Sequence, residues 1–221
     1  MRLSRRVLSV LSALWIKICG TTRAEDAEAA AKLGADAVGL ILFEGSSRAV
    51  ELNQCAGILE PVAGSVAKVA VLVNPSQDFV EQLLAVGLFD LLQFHGDESE
   101  SFCSQFRIPY MKAIRVRDYE QAQQQIQRYA SAEKILLDSY IENVPGGTGK
   151  TFDWDIAAKL VATNDKDVVL AGGLSANNVA EAAARVKPFG VDAVSGIEAQ
   201  PGVKDHSKLE KFIEATKSVA S

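Results

Sequence analysis

The sequence predicts an α/β fold, a single-domain (β/α)8 barrel with eight parallel strands. Three observations predict it. Apolar runs rich in Val, Ile and Leu recur along the whole chain, and eight of them can be counted. Each run is continuous rather than alternating, as a parallel strand buried on both faces requires. Between the runs lie segments of helical periodicity with recognisable ends, and strict strand-helix alternation implies right-handed crossovers. Eight such units in 221 residues close into a barrel more naturally than they open into a doubly wound sheet, the competing architecture.

Strand one reads as Trp15–Cys19, followed by a capping box, Thr22-Arg23-Ala24-Glu25, that opens an alanine-rich helix closing at Gly34. Ala37–Phe43 and Val66–Val73 are strands two and three, after which Pro75-Ser76 opens a helix running to about Gly87. Strands four, five and six are Leu91–Phe94, Tyr110–Val116 and Ile135–Asp138. Val168–Ala171 is strand seven, and Ser175 caps a helix over Asn177–Val186. Ala193–Ser195 is strand eight, and His206–Ser218 is the last helix. No linker or repeat divides the chain, so residues 15–221 form one barrel domain. Residues 1–14 are a leader, disordered or an extended start: Arg2, Arg5 and Arg6 precede an apolar run, Val7–Leu14, too short to span a bilayer and followed by no signal-cleavage pattern.

The composition, 48% hydrophobic and 23% charged, is that of an ordinary globular chain. The net charge of −5, with no basic block in the body of the chain, argues against nucleic acid as a partner, and no segment argues for a membrane. Three widely spaced cysteines without a CxxC argue against a disulfide framework or a zinc site and fit a reducing, cytoplasmic setting. Two distant histidines and no grouped carboxylates support neither a metal nor, without a dinucleotide fingerprint, a cofactor. Monomer and homodimer are both compatible with helices of mixed faces.

In this fold, chemistry stands at the carboxyl ends of the strands, so polar residues ending the apolar runs form the shortlist: Lys17, Cys19, Arg48, His95, Arg115, Asp138 and Ser195. Strand seven ends in Ala171-Gly172-Gly173-Leu174 and strand eight in Ser195-Gly196-Ile197-Glu198. Glycines in those two adjacent loops let backbone N–H groups approach an anion, which points to a phosphorylated small molecule. Gly146-Gly147-Thr148-Gly149-Lys150-Thr151 mimics a nucleotide-binding loop but has Val144 where the pattern needs glycine, and it reads instead as a glycine-hinged lid. Cys19 stands beside the amino terminus of the first helix, whose dipole favours a thiolate. Asp138 closes an apolar strand, where a carboxylate gains nothing for stability unless paired or solvated. One proton-exchanging group from strand one and one from strand six would face each other across the barrel mouth. His95 is a further possible base or part of the pocket wall, His206 falls on an exposed helix, and Cys55 and Cys103, inside helical patterns, are small buried hydrophobes.

With these motifs in order, the chain from about Trp15 to Lys217 resembles the phosphoribosylanthranilate isomerases of tryptophan biosynthesis. The residues that carry the resemblance include Lys17-Ile18-Cys19-Gly20, Ser46-Ser47-Arg48, Gln93-Phe94-His95-Gly96-Asp97-Glu98, Lys112-Ala113-Ile114-Arg115, Leu137-Asp138-Ser139, Phe152-Asp153-Trp154, Leu170-Ala171-Gly172-Gly173-Leu174 and Ser195-Gly196-Ile197-Glu198. The resemblance implies an aldose-ketose isomerase that performs an Amadori rearrangement without cofactor. It implies that Asp138 is the general acid, that Cys19 is the base, and that Arg48 faces the anthranilate carboxylate. It also implies that His95 contributes to substrate binding and that Gly172, Gly173, Ser195 and Gly196 cradle the phosphate.

Three positions depart from the family pattern. Ser47 replaces the usual proline before the arginine, which loosens the loop but keeps Arg48. Ala193-Val194 replaces the commoner Val-Ser, which removes one hydroxyl near the phosphate, and the leader is longer than the family needs. Rivals on the same fold are indole-glycerol-phosphate synthase, the tryptophan synthase α chain and the histidine-pathway aminoaldose isomerase; the last is similar in chemistry but carries an aspartate where this chain has Cys19. A silent barrel that only binds a ligand or partner is a rival of another class, and loss of Cys19 or Asp138 would be its mark.

Overall fold

The computed structural model describes residues 13–139 and 153–220. Eight parallel strands, β1 (Trp15–Cys19), β2 (Ala37–Ile41), β3 (Ala67–Leu72), β4 (Leu91–Phe94), β5 (Tyr110–Val116), β6 (Lys134–Ser139), β7 (Asp167–Leu170) and β8 (Gly190–Ala193), close into a barrel in sequence order. Closure is made by β8 pairing with β1, Lys17 opposite Asp192. The intervening and following helices are α1 (Ala24–Leu33), α2 (Cys55–Leu59), α3 (Gln77–Val86), α4 (Glu100–Ser104), α5 (Tyr119–Arg128), α6 (Trp154–Thr163), α7 (Val179–Val186) and α8 (His206–Lys217). This is the barrel the alternation predicts, not the doubly wound sheet. After β8 a short antiparallel hairpin, β9 (Glu198–Gln200) and β10 (Val203–Lys204), precedes α8.

Successive strand residues point to opposite faces, so the apolar runs build two separate cores. Ile16 and Ile18 of β1, Leu72 of β3 and Leu92 of β4 belong to the layer between barrel and helices. Cys19, Val69, Val71, Met111, Leu136 and Val169 fill the lumen. Residues buried on both faces explain why the runs read as continuous in sequence.

Strand eight needs correction. It is Gly190–Ala193, not Ala193–Ser195, and Ser195–Ile197 is a single 3-10 turn beyond it. The physical reason is Asp192, which breaks the apolar run yet is buried because Lys17 beside it neutralises its charge. Two helix starts also differ. Thr22 does not cap α1; its hydroxyl donates to the Gly202 carbonyl at 2.5 Å, and Arg23 is the residue before the helix. Ser175 does not cap α7, which begins at Val179; instead the Ser175 N–H donates to Asn178 Oδ1 at 2.8 Å. Ser76, by contrast, accepts from the Phe79 N–H as its sequence position predicts. The lid reading, Gly146–Thr151, and residues 1–12 of the leader lie outside the described residues. No helix among the described residues is long and apolar enough to cross a membrane.

Candidate active site

A cavity of about 460 Å³ opens at the carboxyl ends of the strands. Cys19, Arg48, His95, Asp138, Gly172, Gly173 and Ser195 all line it, brought there from six different strand-to-helix ends. Gly196 does not reach the wall.

Cys19 ends β1 in register with Gly39 of β2 and is 3% exposed. A methyl group on Gly39 would fall 2.9 Å from Cys19 Sγ and 3.2 Å from Lys17 Nζ, so this glycine leaves the room into which both side chains turn. Burial pushes the Cys19 thiol up; the Lys17 ammonium, and less strongly that of Lys204, oppose this, while the Asp192 carboxylate adds to it.

Across the mouth, Asp138 sits on β6 in register with Arg115 of β5, its side chain 13% exposed. His95 Nε2 is 3.3 Å from Asp138 Oδ2, and His95 Nδ1 is 3.0 Å from Gln93 Nε2. An amide nitrogen can only donate, so Nδ1 accepts from Gln93 and Nε2 is the ring nitrogen that faces Asp138. His95 therefore braces the carboxylate besides forming the pocket wall.

Arg48 enters from the loop after β2. Its Nε and Nη2 donate to the Glu198 carboxylate at 2.9 and 2.7 Å, a bidentate clamp. Glu198 Oε1 also accepts from Lys204 Nζ at 3.2 Å and from the Gly202 N–H at 3.1 Å. Burial raises the Glu198 carboxyl, but the bond from Arg48 and the charge of Lys204 outweigh it and hold the group below the usual carboxylate range. Lys204 Nζ donates in turn to the Cys19 carbonyl at 2.6 Å, so the β9–β10 hairpin ties Arg48 to the end of β1.

Gly172 and Gly173 have φ of 82° and 68°, a left-handed pair that only glycine adopts without strain. They form a turn at the cavity wall, its Gly173 carbonyl accepting from Asn178 Nδ2 at 3.0 Å, with Ser195 on the adjoining loop. Gly196 serves behind them: a Cβ there would lie 2.1 Å from the Leu174 carbonyl oxygen, so its bare backbone lets the two loops press together. Among the described residues no group of three or more His, Cys, Asp or Glu side chains is gathered as a metal cage.

Sequence reasoning missed Gln93, Asp192, Glu198 and Lys204 as site residues. Gln93 is 1% exposed and lines the cavity, yet its Oε1 has no hydrogen-bond partner among the described residues. Period-two counting along β4 from His95 would have turned it inward. Asp192 was hidden by the misplaced strand, and nothing local in the sequence pairs Glu198 with Arg48, 150 residues away. His206 is exposed, as read, and its Nε2 lies 2.8 Å from Oδ1 of the buried Asp26.

The chain has extensive similarity to known proteins. A family model described as N-(5'phosphoribosyl)anthranilate (PRA) isomerase matches residues 16–215. An N-(5'-phosphoribosyl)anthranilate isomerase of Pseudomonas putida is 47% identical over 201 residues, 91% of this chain and 96% of its own, and that of Pseudomonas paraeruginosa is 45% identical over 208 residues, 94% and 97%. Phosphoribosyl anthranilate isomerase from Thermotoga maritima superposes with a TM-score of 0.86 at 33% identity, covering 93% of this chain and 99% of that one. A phosphoribosyl anthranilate isomerase in complex with reduced 1-(o-carboxyphenylamino)-1-deoxyribulose 5-phosphate superposes at 0.82 with 31% identity and the same coverage.

Proposed function

The chain belongs to the N-(5'-phosphoribosyl)anthranilate isomerase family, and from that premise we propose which of its residues carry the reaction. The activity is an intramolecular aldose-ketose isomerisation in tryptophan biosynthesis, an Amadori rearrangement of N-(5-phosphoribosyl)anthranilate to 1-(2-carboxyphenylamino)-1-deoxyribulose 5-phosphate. The observation that carries the assignment is that Cys19 and Asp138, from non-adjacent strands β1 and β6, line one cavity whose wall includes Gly172 and Gly173.

Asp138 gives its proton to the furanose ring oxygen. The C1–O bond breaks, the nitrogen lone pair closes a C=N bond, and a cationic Schiff base results. Cys19 acts next as the thiolate, its own proton having left to solvent through the open mouth of the cavity, and the cation beside it favours that charged form. The thiolate then takes the proton from C2; the C–H pair becomes the C1–C2 double bond and the C=N pair returns to nitrogen, giving an enolamine that tautomerises to the ketone. Side chains alone move the protons. His95 steadies Asp138 at the mouth of the site, and the backbone around Gly172, Gly173 and Ser195, with Gly196 holding the loops together, receives the phosphate.

Arg48 takes the anthranilate carboxylate on the guanidinium edge that Glu198 leaves open, which supports a role for Glu198 in aiming it. Glu198→Gln is expected to raise KM about tenfold with a smaller change in kcat, because a binding contact shared by ground and transition states is loosened. Steady-state kinetics check this; an unchanged KM would mean that the loop alone aims Arg48.

The protein is further read as cytoplasmic, in keeping with three free buried cysteines, and as a monomer or homodimer, the T. maritima relative being described as dimeric. The activity itself is tested by following anthranilate-adduct fluorescence after addition of the enzyme to freshly made phosphoribosylanthranilate. An enzyme-dependent loss of signal is expected, and a trace identical to the spontaneous decay would favour a silent barrel.

A further inference from the structure

Lys17 has no part in the proton transfers just described, yet it is a fully buried lysine in the lumen, one turn of the pleat below Cys19. Its Nζ donates to Asp192 Oδ1 at 2.8 Å, with the two side chains 0% and 5% exposed. It also shares with Cys19 the space left by the missing side chain of Gly39, where the same added methyl group would meet Cys19 Sγ at 2.9 Å and Lys17 Nζ at 3.2 Å. A buried ion pair of this kind is seldom retained for stability, since an apolar pair of the same volume packs as well without the desolvation cost. Its position against the thiol supplies another reason to hold an ammonium there.

We propose that Lys17 is a positioning residue for the base, an interior ammonium tethered by Asp192 that makes the Cys19 thiolate attainable inside a dry barrel. The inference rests on the reading of Cys19 as the base. The charges that face Cys19 are few enough to sort. Lys17 on its own strand is the one whose ammonium shares the space over Gly39 with the sulfur. Lys204 of β10 reaches the Cys19 carbonyl rather than its sulfur, and Arg48 is committed to Glu198. Asp192 of β8 bears on the thiol with the opposite sign. Across the cavity stand His95 of β4, Arg115 of β5 and Asp138 of β6. Burial draws Lys17 down, but Asp192, by charge and by hydrogen bond, and then the charge of Cys19 itself more than restore it, so the ammonium is charged when the thiolate forms.

The sign follows directly. Removing Lys17 takes away the charge that favours the thiolate, so Cys19 titrates higher.

The test is the far-ultraviolet thiolate absorbance of the intact protein against pH, with the Cys19→Ser protein subtracted. Burial pushes Cys55 to about 11 and Cys103 to about 12, so both lie high and cancel in the difference. Lys17→Met is expected to move the Cys19 transition up by about one pH unit or more. The rising limb of kcat/KM should move with it, so that Lys17→Met loses about tenfold at neutral pH and regains much of it in alkali. An unmoved Cys19 transition in Lys17→Met overturns the proposal. If Lys17→Met does not fold, Lys17→Gln decides, and a transition that stays or falls overturns it. A transition that moves while the kinetic limb stays put supports the coupling of Lys17 to Cys19 and overturns the base role of Cys19.

Discussion

Cys19→Ser is expected to lower kcat by about 10³-fold, inside the 10²–10⁴ range that one positioned acid or base contributes, while the folded state survives. The substitution exchanges one small atom for another at a site already 3% exposed and packed over Gly39, so neither a cavity nor a clash arises. A serine hydroxyl is so much weaker an acid than a thiol that it stays protonated in the same site, and the C2 proton has no acceptor. Single-turnover kinetics should show ring opening intact and the later step stalled. Thermal melts of the variant and parent should coincide within a few degrees; near wild-type turnover would remove Cys19 from the mechanism.

Asp138→Asn should cost about as much, roughly 10²–10⁴-fold in kcat, for the opposite reason. The amide keeps the size of the side chain and can still meet His95 Nε2, but it has no proton to give to the ring oxygen. Because the residues proposed to hold the phosphate and the carboxylate lie elsewhere on the cavity wall, a reduced product analogue should bind the variant within a few-fold of the parent. Loss of binding together with turnover would mean that Asp138 shapes the pocket rather than acting as the acid. The two variants fail at different steps, so their separate single-turnover traces test the order of proton transfers.

Much of the barrel was legible because both faces of its strands are apolar. β1, β4 and β5 have the bounds their residues announce, and polar residues at strand ends marked Cys19, His95 and Asp138. What stayed hidden shares one physical character: it depends on a partner far away in the chain. Asp192 looks like the end of a strand until Lys17 is set beside it, and Thr22 looks like a helix cap until Gly202 takes its hydroxyl. Ser76 needed no distant partner and was read correctly. Glu198 belonged to a recognised motif, but its task, gripping Arg48, is tertiary and leaves no mark in local spacing.

The pairing of Lys17 with Asp192 also bears on how the molecule is made. The first strand and the last meet at the seam of the barrel, and the charge pair spans that seam. A nascent chain emerges from its amino end, so until about residue 192 has left the ribosome the lysine of strand one has no counter-ion, and burying it in a half-built lumen would be costly. The first strand therefore cannot settle early. Joining the two ends of the sheet and readying the thiol become one event, and an unfinished chain holds no half-assembled catalyst.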